Sequence, residues 1–187
     1  MTGSCNVEAV LELRAEVSVL AEPRCTGPIL AKMAKRWGRA VTGRQVDGEL
    51  LSAVIFDPRV GCEIVPDLRK WPQWMCRVAG ARIQLSERHA CVVWAIYGKD
   101  QPKVTELAEL QDVTQELLLQ ARRFGEIPVV MAGDFNALAK DCTSLVRLSR
   151  DGWADLGGEP TCLAAQSVQG RRIDLTFANK EYQSCVL

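Results

Sequence analysis

A carboxylate and a carboxamide stand two residues apart in Gly133-Asp134-Phe135-Asn136. Asp can take a proton from water, and Asn can donate to a phosphate oxygen without adding negative charge. The preceding Pro128-Val129-Val130-Met131-Ala132 reads as a short buried strand, with Pro128 confined to its start. In an extended chain, residues i and i+2 point to the same side. Asp134 and Asn136 are therefore expected to emerge together at the strand's C-terminal end, where open α/β sheets hold ligands. Gly133 lets the backbone bend or approach a neighbour closely. Asp and Asn also form turns, and on these four residues alone the turn reading stands beside the site reading. Two further carboxylates lie at informative places. Glu22 follows the apolar run Val17–Ala21, which Pro23 stops, and Asp174 lies between apolar neighbours in Arg172–Phe177. A carboxylate buried there is costly unless paired.

The elements that would position these groups alternate in kind. Asn6–Arg14 has the spacing of a short amphipathic helix, and Pro28–Trp37 reads as a helix with Pro28 in its first turn and Gly38 beyond its end. Lys32, Lys35, Arg36 and Arg39 give that region a basic, solvated face. Ala40–Val46, Leu50–Phe56, Cys62–Val65 and Arg77–Leu85 read as strands, separated by turn chemistry such as Asp47-Gly48. Cys91–Ile96 is a continuous buried strand that ends at Tyr97-Gly98, and Trp71 and Trp74 before it are expected to pack. Lys103–Phe124 carries the clearest helical stripe, from Val104 through Leu110, Val113 and Leu117 to Ala121, with Gly125 beyond. Ser144–Arg150 reads as a short helix, Gly152–Asp155 and Glu159–Thr161 as loop, and Arg172–Phe177 as the last strand. The sum is a mixed α/β domain, two packed sheets with helices outside.

Composition narrows the class. The chain has 187 residues, enough for one domain with a core, and no internal repeat or linker. Lys plus Arg and Asp plus Glu both number 23, so net charge alone gives no support for nucleic-acid binding, although a local basic face remains compatible with it. Cys5, Cys25, Cys62, Cys76, Cys91, Cys142, Cys162 and Cys185 show no zinc-ligand spacing, and His89 is the sole histidine. The first residues carry no secretory pattern, so reduced thiols in an intracellular protein, nuclear or cytoplasmic, are expected. No apolar run approaches a membrane span.

In order along the chain, Val19-Leu20-Ala21-Glu22, Val92-Val93-Trp94-Ala95-Ile96-Tyr97-Gly98, Gly133-Asp134-Phe135-Asn136 and Gly170-Arg171-Arg172-Ile173-Asp174-Leu175 resemble the motif series of the endonuclease/exonuclease/phosphatase superfamily. That is the fold of DNase I, apurinic endonucleases and LINE-type retrotransposon endonucleases. Pro160-Thr161 precedes the last motif, as in many members, and the resemblance covers nearly the whole chain. It implies a four-layer α-β-β-α sandwich of two mixed sheets. It implies that Glu22 binds Mg²⁺ or Mn²⁺, Asp134 orients and deprotonates the attacking water, and Asn136 holds a phosphate oxygen and fixes Asp134. Tyr97 would also reach the phosphate, and Asp174 would orient a histidine and stabilise its charged form.

The chain departs from the pattern at both ends. The family's opening strand, which ends in Asn, and its closing Ser-Asp-His have no counterpart here. Asn6 stands too near Glu22 to replace that Asn. His89 begins the strand that Tyr97 ends, which separates the two by roughly 25 Å. The expectation is a superfamily domain lacking its first and last core strands, with exposed strand edges, reduced stability and weak metal binding. Its activity would be divalent-metal-dependent phosphodiester hydrolysis on nucleic acid, closest to a retroelement endonuclease. A phosphatase of small or lipid phosphates, or an impaired remnant with a binding role or none, are the alternatives.

Overall fold

The computed structural model describes residues 17–21, 28, 39–44, 50–56, 61–64, 67–157 and 172–186. The helix expected at 6–14, all but Pro28 of that expected at 28–37, Glu22, and the loop residues 159–161 lie outside the described residues. Nine strands are described: β1 (Val17–Ala21), β2 (Arg39–Thr42), β3 (Ser52–Phe56), β4 (Gly61–Ile64), β5 (Val78–Gln84), β6 (Ala90–Tyr97), β7 (Val129–Asp134), β8 (Ala154–Asp155) and β9 (Asp174–Ala178). Three helices accompany them: α1 (Val104–Arg123), α2 (Thr143–Arg150) and α3 (Lys180–Val186). One sheet has the order β1-β3-β2, and the other β4-β5-β6-β7-β9-β8. The fold is mixed α/β with two sheets and helices. The chain divides into two compact units, Met1–Ala95 and Ile96–Leu187.

The first unit is held by sheet-on-sheet packing. β3 is central to its sheet, antiparallel to β1 and β2, and every one of its residues is buried. A strand covered on both faces needs a continuous apolar run, and Ala53-Val54-Ile55-Phe56 supplies it. Val54 and Phe56 meet Ala79, Ala81 and Ile83 of β5 and Val93 and Ala95 of β6, and Val17 and Val19 of β1 pack against the same cluster. The alternation 17, 19 and 79, 81, 83 is the period-two signature of strands facing one core. Each large apolar side chain so buried contributes roughly 1.5–3 kcal/mol. Trp74 is fully buried, whereas Trp71 is half-buried. The strand expected to run from Ala40 to Val46 ends at Thr42; Gly43 N–H donates to Ser52 O and Arg44 N–H to Met75 O, which turns the chain toward the 75–76 turn. Cys76 lies in that turn, not in a strand. β4 is an edge strand with all four residues exposed, Ile64 by 75%.

The second unit joins helices to the β7–β9–β8 part of the sheet. On α1, Leu110, Val113, Leu117 and Ala121 form the buried stripe. Val104, which the spacing assigned to it, is 84% exposed, and Ala108 is exposed too, so the buried stripe starts at Leu110. Glu106 carboxylate accepts the Lys103 N–H at 2.8 Å and so satisfies one of the first-turn donors. Gly125, at φ 78°, ends the helix in the left-handed conformation that glycine adopts without penalty. α2 buries Ser144, Leu145 and Leu148. Ala154–Asp155, expected as loop, is a two-residue edge strand on β9. α3 had no expectation at all. Asn179 begins it: its Oδ1 accepts Tyr182 N–H at 3.1 Å and Val129 N–H at 2.8 Å, and its Nδ2 donates to Ile127 O at 2.8 Å. One buried amide therefore caps α3 and ties it to the start of β7. Among the described residues no helix is long and apolar enough to cross a membrane.

Candidate active site at the ends of three strands

β6 and β7 run side by side in the same direction, joined through α1, and end together. The register is set by glycine. A Cβ on Gly98 would overlap the Phe135 carbonyl oxygen, and one on Gly133 the Ile96 carbonyl oxygen. Gly133 also sits at φ 148°, a backbone conformation that side chains rarely permit. The close approach lets Gly98 N–H donate to Asp134 O at 2.7 Å. Phe135 N–H then donates to Ile173 O at 2.9 Å, which adds the start of β9 to the same place. Phe135 itself is fully buried, edge-on to Phe177 with ring centroids 6.3 Å apart, so it anchors the polar residues on either side of it.

Asp134 is the last residue of β7, not a residue of a following turn. Asn136 does lie beside it, but not through extended alternation. Its φ is 52°, and its backbone N–H donates to Asp134 Oδ1 at 2.8 Å. The chain makes an Asx-type turn, in which a short polar side chain bonds the backbone two residues on. The turn reading of Gly-Asp-Phe-Asn is the geometry the chain adopts, and the turn holds the carboxylate.

The Asn136 amide projects toward the end of β6. Its Nδ2 donates to Gly98 O at 3.3 Å and to Asp100 Oδ1 at 3.1 Å. Tyr97 is 3% exposed, and its hydroxyl donates to the same Asp100 Oδ1 at 2.9 Å. Tyr97, Asp134 and Asn136 are therefore brought into one hydrogen-bonded group. Asp100, which the sequence reading passed over, is its hub. The available signal was position: a carboxylate three residues past the end of β6, in the turn that Gly98 opens. Its neighbour Lys99 turns away to pair with Glu106 and Glu109 of α1 at 3.4 and 3.3 Å.

Asp174 was expected between apolar neighbours inside a strand. It is instead the first residue of β9 and exposed, so no burial cost applies. It is the cross-strand partner of Asp134. Directly opposed residues on antiparallel strands place their Cβ atoms about 4.5–5.5 Å apart on one face, and like charges there repel. The chain reaches Asp174 through an ion pair. Arg172 Nη1 donates to Asp155 Oδ2 at 2.6 Å and Nη2 to Asp155 Oδ1, while Gly157 N–H donates to Asp155 Oδ1 at 3.2 Å. Burial pushes the Asp155 carboxyl up, but the Arg172 hydrogen bond, the Gly157 N–H and the Arg172 charge together hold it below its ordinary value. His89 is exposed in the β5–β6 turn, its Nδ1 2.9 Å from Ser86 Oγ.

The family resemblance implies a divalent metal. The donors present have the right character, since opposed carboxylates offer hard oxygens and gain from a cation between them. Their number falls short: among the described residues no group of three or more His, Cys, Asp or Glu side chains is placed to hold a metal ion. Glu22, the expected ligand, lies outside those residues.

The chain has the endonuclease/exonuclease/phosphatase fold, the DNase I-like class. It is similar to the endonuclease domain of TRAS1, a telomere-specific non-LTR retrotransposon, with TM-score 0.68 and 16% identity over 98% of this chain and 83% of that one. The AP endonuclease from Archaeoglobus fulgidus gives TM-score 0.67 at 13% identity, over 93% of this chain and 80% of that one. The mannosyl-6-phosphatase Bt3783 of Bacteroides thetaiotaomicron gives 0.64 at 15% identity, over 93% and 74%. No protein-family model and no curated protein sequence matches the chain.

Proposed function

We propose that the chain is a phosphoester hydrolase that acts on nucleic-acid phosphodiesters with the help of Mg²⁺ or Mn²⁺, as an endonuclease of retroelement type. The observation that carries this reading is the single cluster of Tyr97, Asp134 and Asn136 at the joint end of β6 and β7. Asp134 accepts the proton of the attacking water, its Oδ1 held by the Asn136 N–H so that the carboxylate faces one way. The Asn136 amide and the Tyr97 hydroxyl are the two neutral donors for a phosphate oxygen. Asp174, opposite Asp134, adds a second carboxylate to the same face. A divalent ion, when bound by Glu22 and these carboxylates, supplies positive charge to the scissile phosphate and the leaving oxygen. Two similar folds are named endonucleases, and TDP2 of D. rerio is described in complex with a single-stranded DNA product, which supports nucleic acid as the partner.

A second reading has its own observation. The chain's one histidine is bonded to Ser86 in the β5–β6 turn, so the partner implied for Asp174 is not supplied by it. That favours an impaired relative of the fold. Supercoiled plasmid and an abasic duplex, incubated with Mg²⁺ or Mn²⁺ beside Asp134→Ala, separate the two. Metal-dependent nicking that Asp134→Ala reduces by at least about a hundredfold is the outcome expected of the nuclease. Absence of nicking by folded protein defeats that reading. Turnover of phenyl phosphate in place of the nucleic acids would move the assignment to a phosphatase.

A further inference from the structure

The two donors assigned to the phosphate already share an anionic oxygen. Tyr97 Oη and Asn136 Nδ2 both donate to Asp100 Oδ1, at 2.9 and 3.1 Å, and the amide's other bond goes to Gly98 O. A charged oxygen that receives two convergent donors is chemically what a non-bridging phosphate oxygen would be. Asp100 is exposed and sits in a short turn, so its carboxylate can leave without disturbing the core. The backbone around it is unusual too. Gln101, at φ 47°, and Asn136, at φ 52°, are the only non-glycine residues with positive φ among the described residues, and both adjoin this contact. Such conformations persist where surrounding structure over-determines them, and they cluster at functional sites.

We propose that Asp100 is an internal phosphate mimic that occupies the oxyanion position of the site and sets its specificity. The inference rests on the assignment of Tyr97 and Asn136 as phosphate donors. A substrate must displace the carboxylate and then sit beside its charge, within about 4 Å, where repulsion grows with every charge on the ligand. A phosphodiester carries one negative charge, and a phosphate monoester near pH 8 carries two. Asp100 therefore selects for diesters and against terminal phosphates, the distinction between a nuclease and a phosphatase on this fold.

The test is binding without turnover, on the full chain in EDTA at pH 8. Dimethyl phosphate and phenyl phosphate are titrated into the wild type, Asp100→Ala and Asp100→Asn, followed by the NMR signals of the Gly98 N–H and the Asn136 side-chain amide. Asp100→Ala should bind dimethyl phosphate roughly tenfold more tightly than the wild type, and its gain for phenyl phosphate should be larger by at least about threefold. Asp100→Asn, which keeps the acceptor and loses the charge, should fall between. Adding Asn136→Ala to Asp100→Ala should erase the gain. Unchanged or weaker binding in both Asp100 variants overturns the proposal, as does absence of any response, and equal gains for both ligands overturn its specificity claim. Because no cleavage is measured, a failed nicking assay would count against the nuclease while leaving this result to stand or fall by itself.

Discussion

At the scale of single residues, the ion pair of Asp155 with Arg172, which lies two residues before Asp174, can be probed by pH. Asp155 grips Arg172, and a Cβ at Gly157 would overlap the guanidinium and push that flexible side chain aside. The folded-state pKa of Asp155 is lowered. The stability it contributes is therefore fully present above the ordinary carboxylate range and is lost as pH falls through the folded value. Both side chains are partly exposed, 19% for Arg172 and 30% for Asp155, so the pair contributes about 1 kcal/mol or less. Asp155→Asn is expected to lower the urea midpoint at pH 7 by that small amount. Its deficit should begin to shrink below about pH 4, the ordinary carboxylate value, and vanish only below the lower folded value, where the wild-type carboxylate is protonated as well. A deficit that stays constant from pH 7 to pH 3 would show that Asp155 acts through packing. The donor and acceptor types at Asp134 and Asn136 were legible from their chemistry. The Asx turn that joins them was not, because a left-handed Asn depends on one side-chain oxygen finding one backbone N–H.

At the scale of elements, long apolar runs announced themselves and short polar ones did not. β3, β6 and α1 follow from continuous or periodic apolar residues that bury, and β1 from an apolar run that is half-buried. β8 has two residues and exists only because β9 offers it an edge. α3 has seven, too few for a periodic stripe to show; its start is encoded in Asn179, which reads as a turn residue until its three partners are seen. Asn179 is 8% exposed, and its amide satisfies Val129 N–H, Ile127 O and Tyr182 N–H at once. Asn179→Ala would strand buried backbone groups at the entrance to β7 and remove the cap of α3. Each loss costs about 1–2 kcal/mol, so a fall in stability of about 2–4 kcal/mol is expected by chemical denaturation. Asn179→Asp keeps the acceptor for Val129 and Tyr182 while losing the donor to Ile127, and should recover part of it. Equal effects of the two substitutions would mean that the cap and the β7 contact carry no weight.

At the scale of the whole molecule, the chain divides into two compact units at a boundary inside a strand, between Ala95 and Ile96. β6 continues through that boundary with every residue from Val92 to Tyr97 buried. A strand cannot half-unfold at its most buried point without exposing Trp94 and Ile96, both fully buried, so the two units should open together. Thiols report on each unit separately. Cys62, Cys76, Cys91, Cys142 and Cys185 are free. Cys62 and Cys185 are exposed and should alkylate in the native state, and Cys91 slowly, because burial raises its thiol pKa and the thiolate is the nucleophile. Cys76, 8% exposed, lies in the first unit, and Cys142, fully buried, in the second. Pulse alkylation across a urea series, read peptide by peptide by mass spectrometry, should give Cys76 and Cys142 the same midpoint. Midpoints separated by more than the fitting error would show two folding units rather than one. The hydrogen-bonded group of Tyr97, Asp100, Asp134 and Asn136, which lies in the second unit, would then belong to a module whose stability is set without the first.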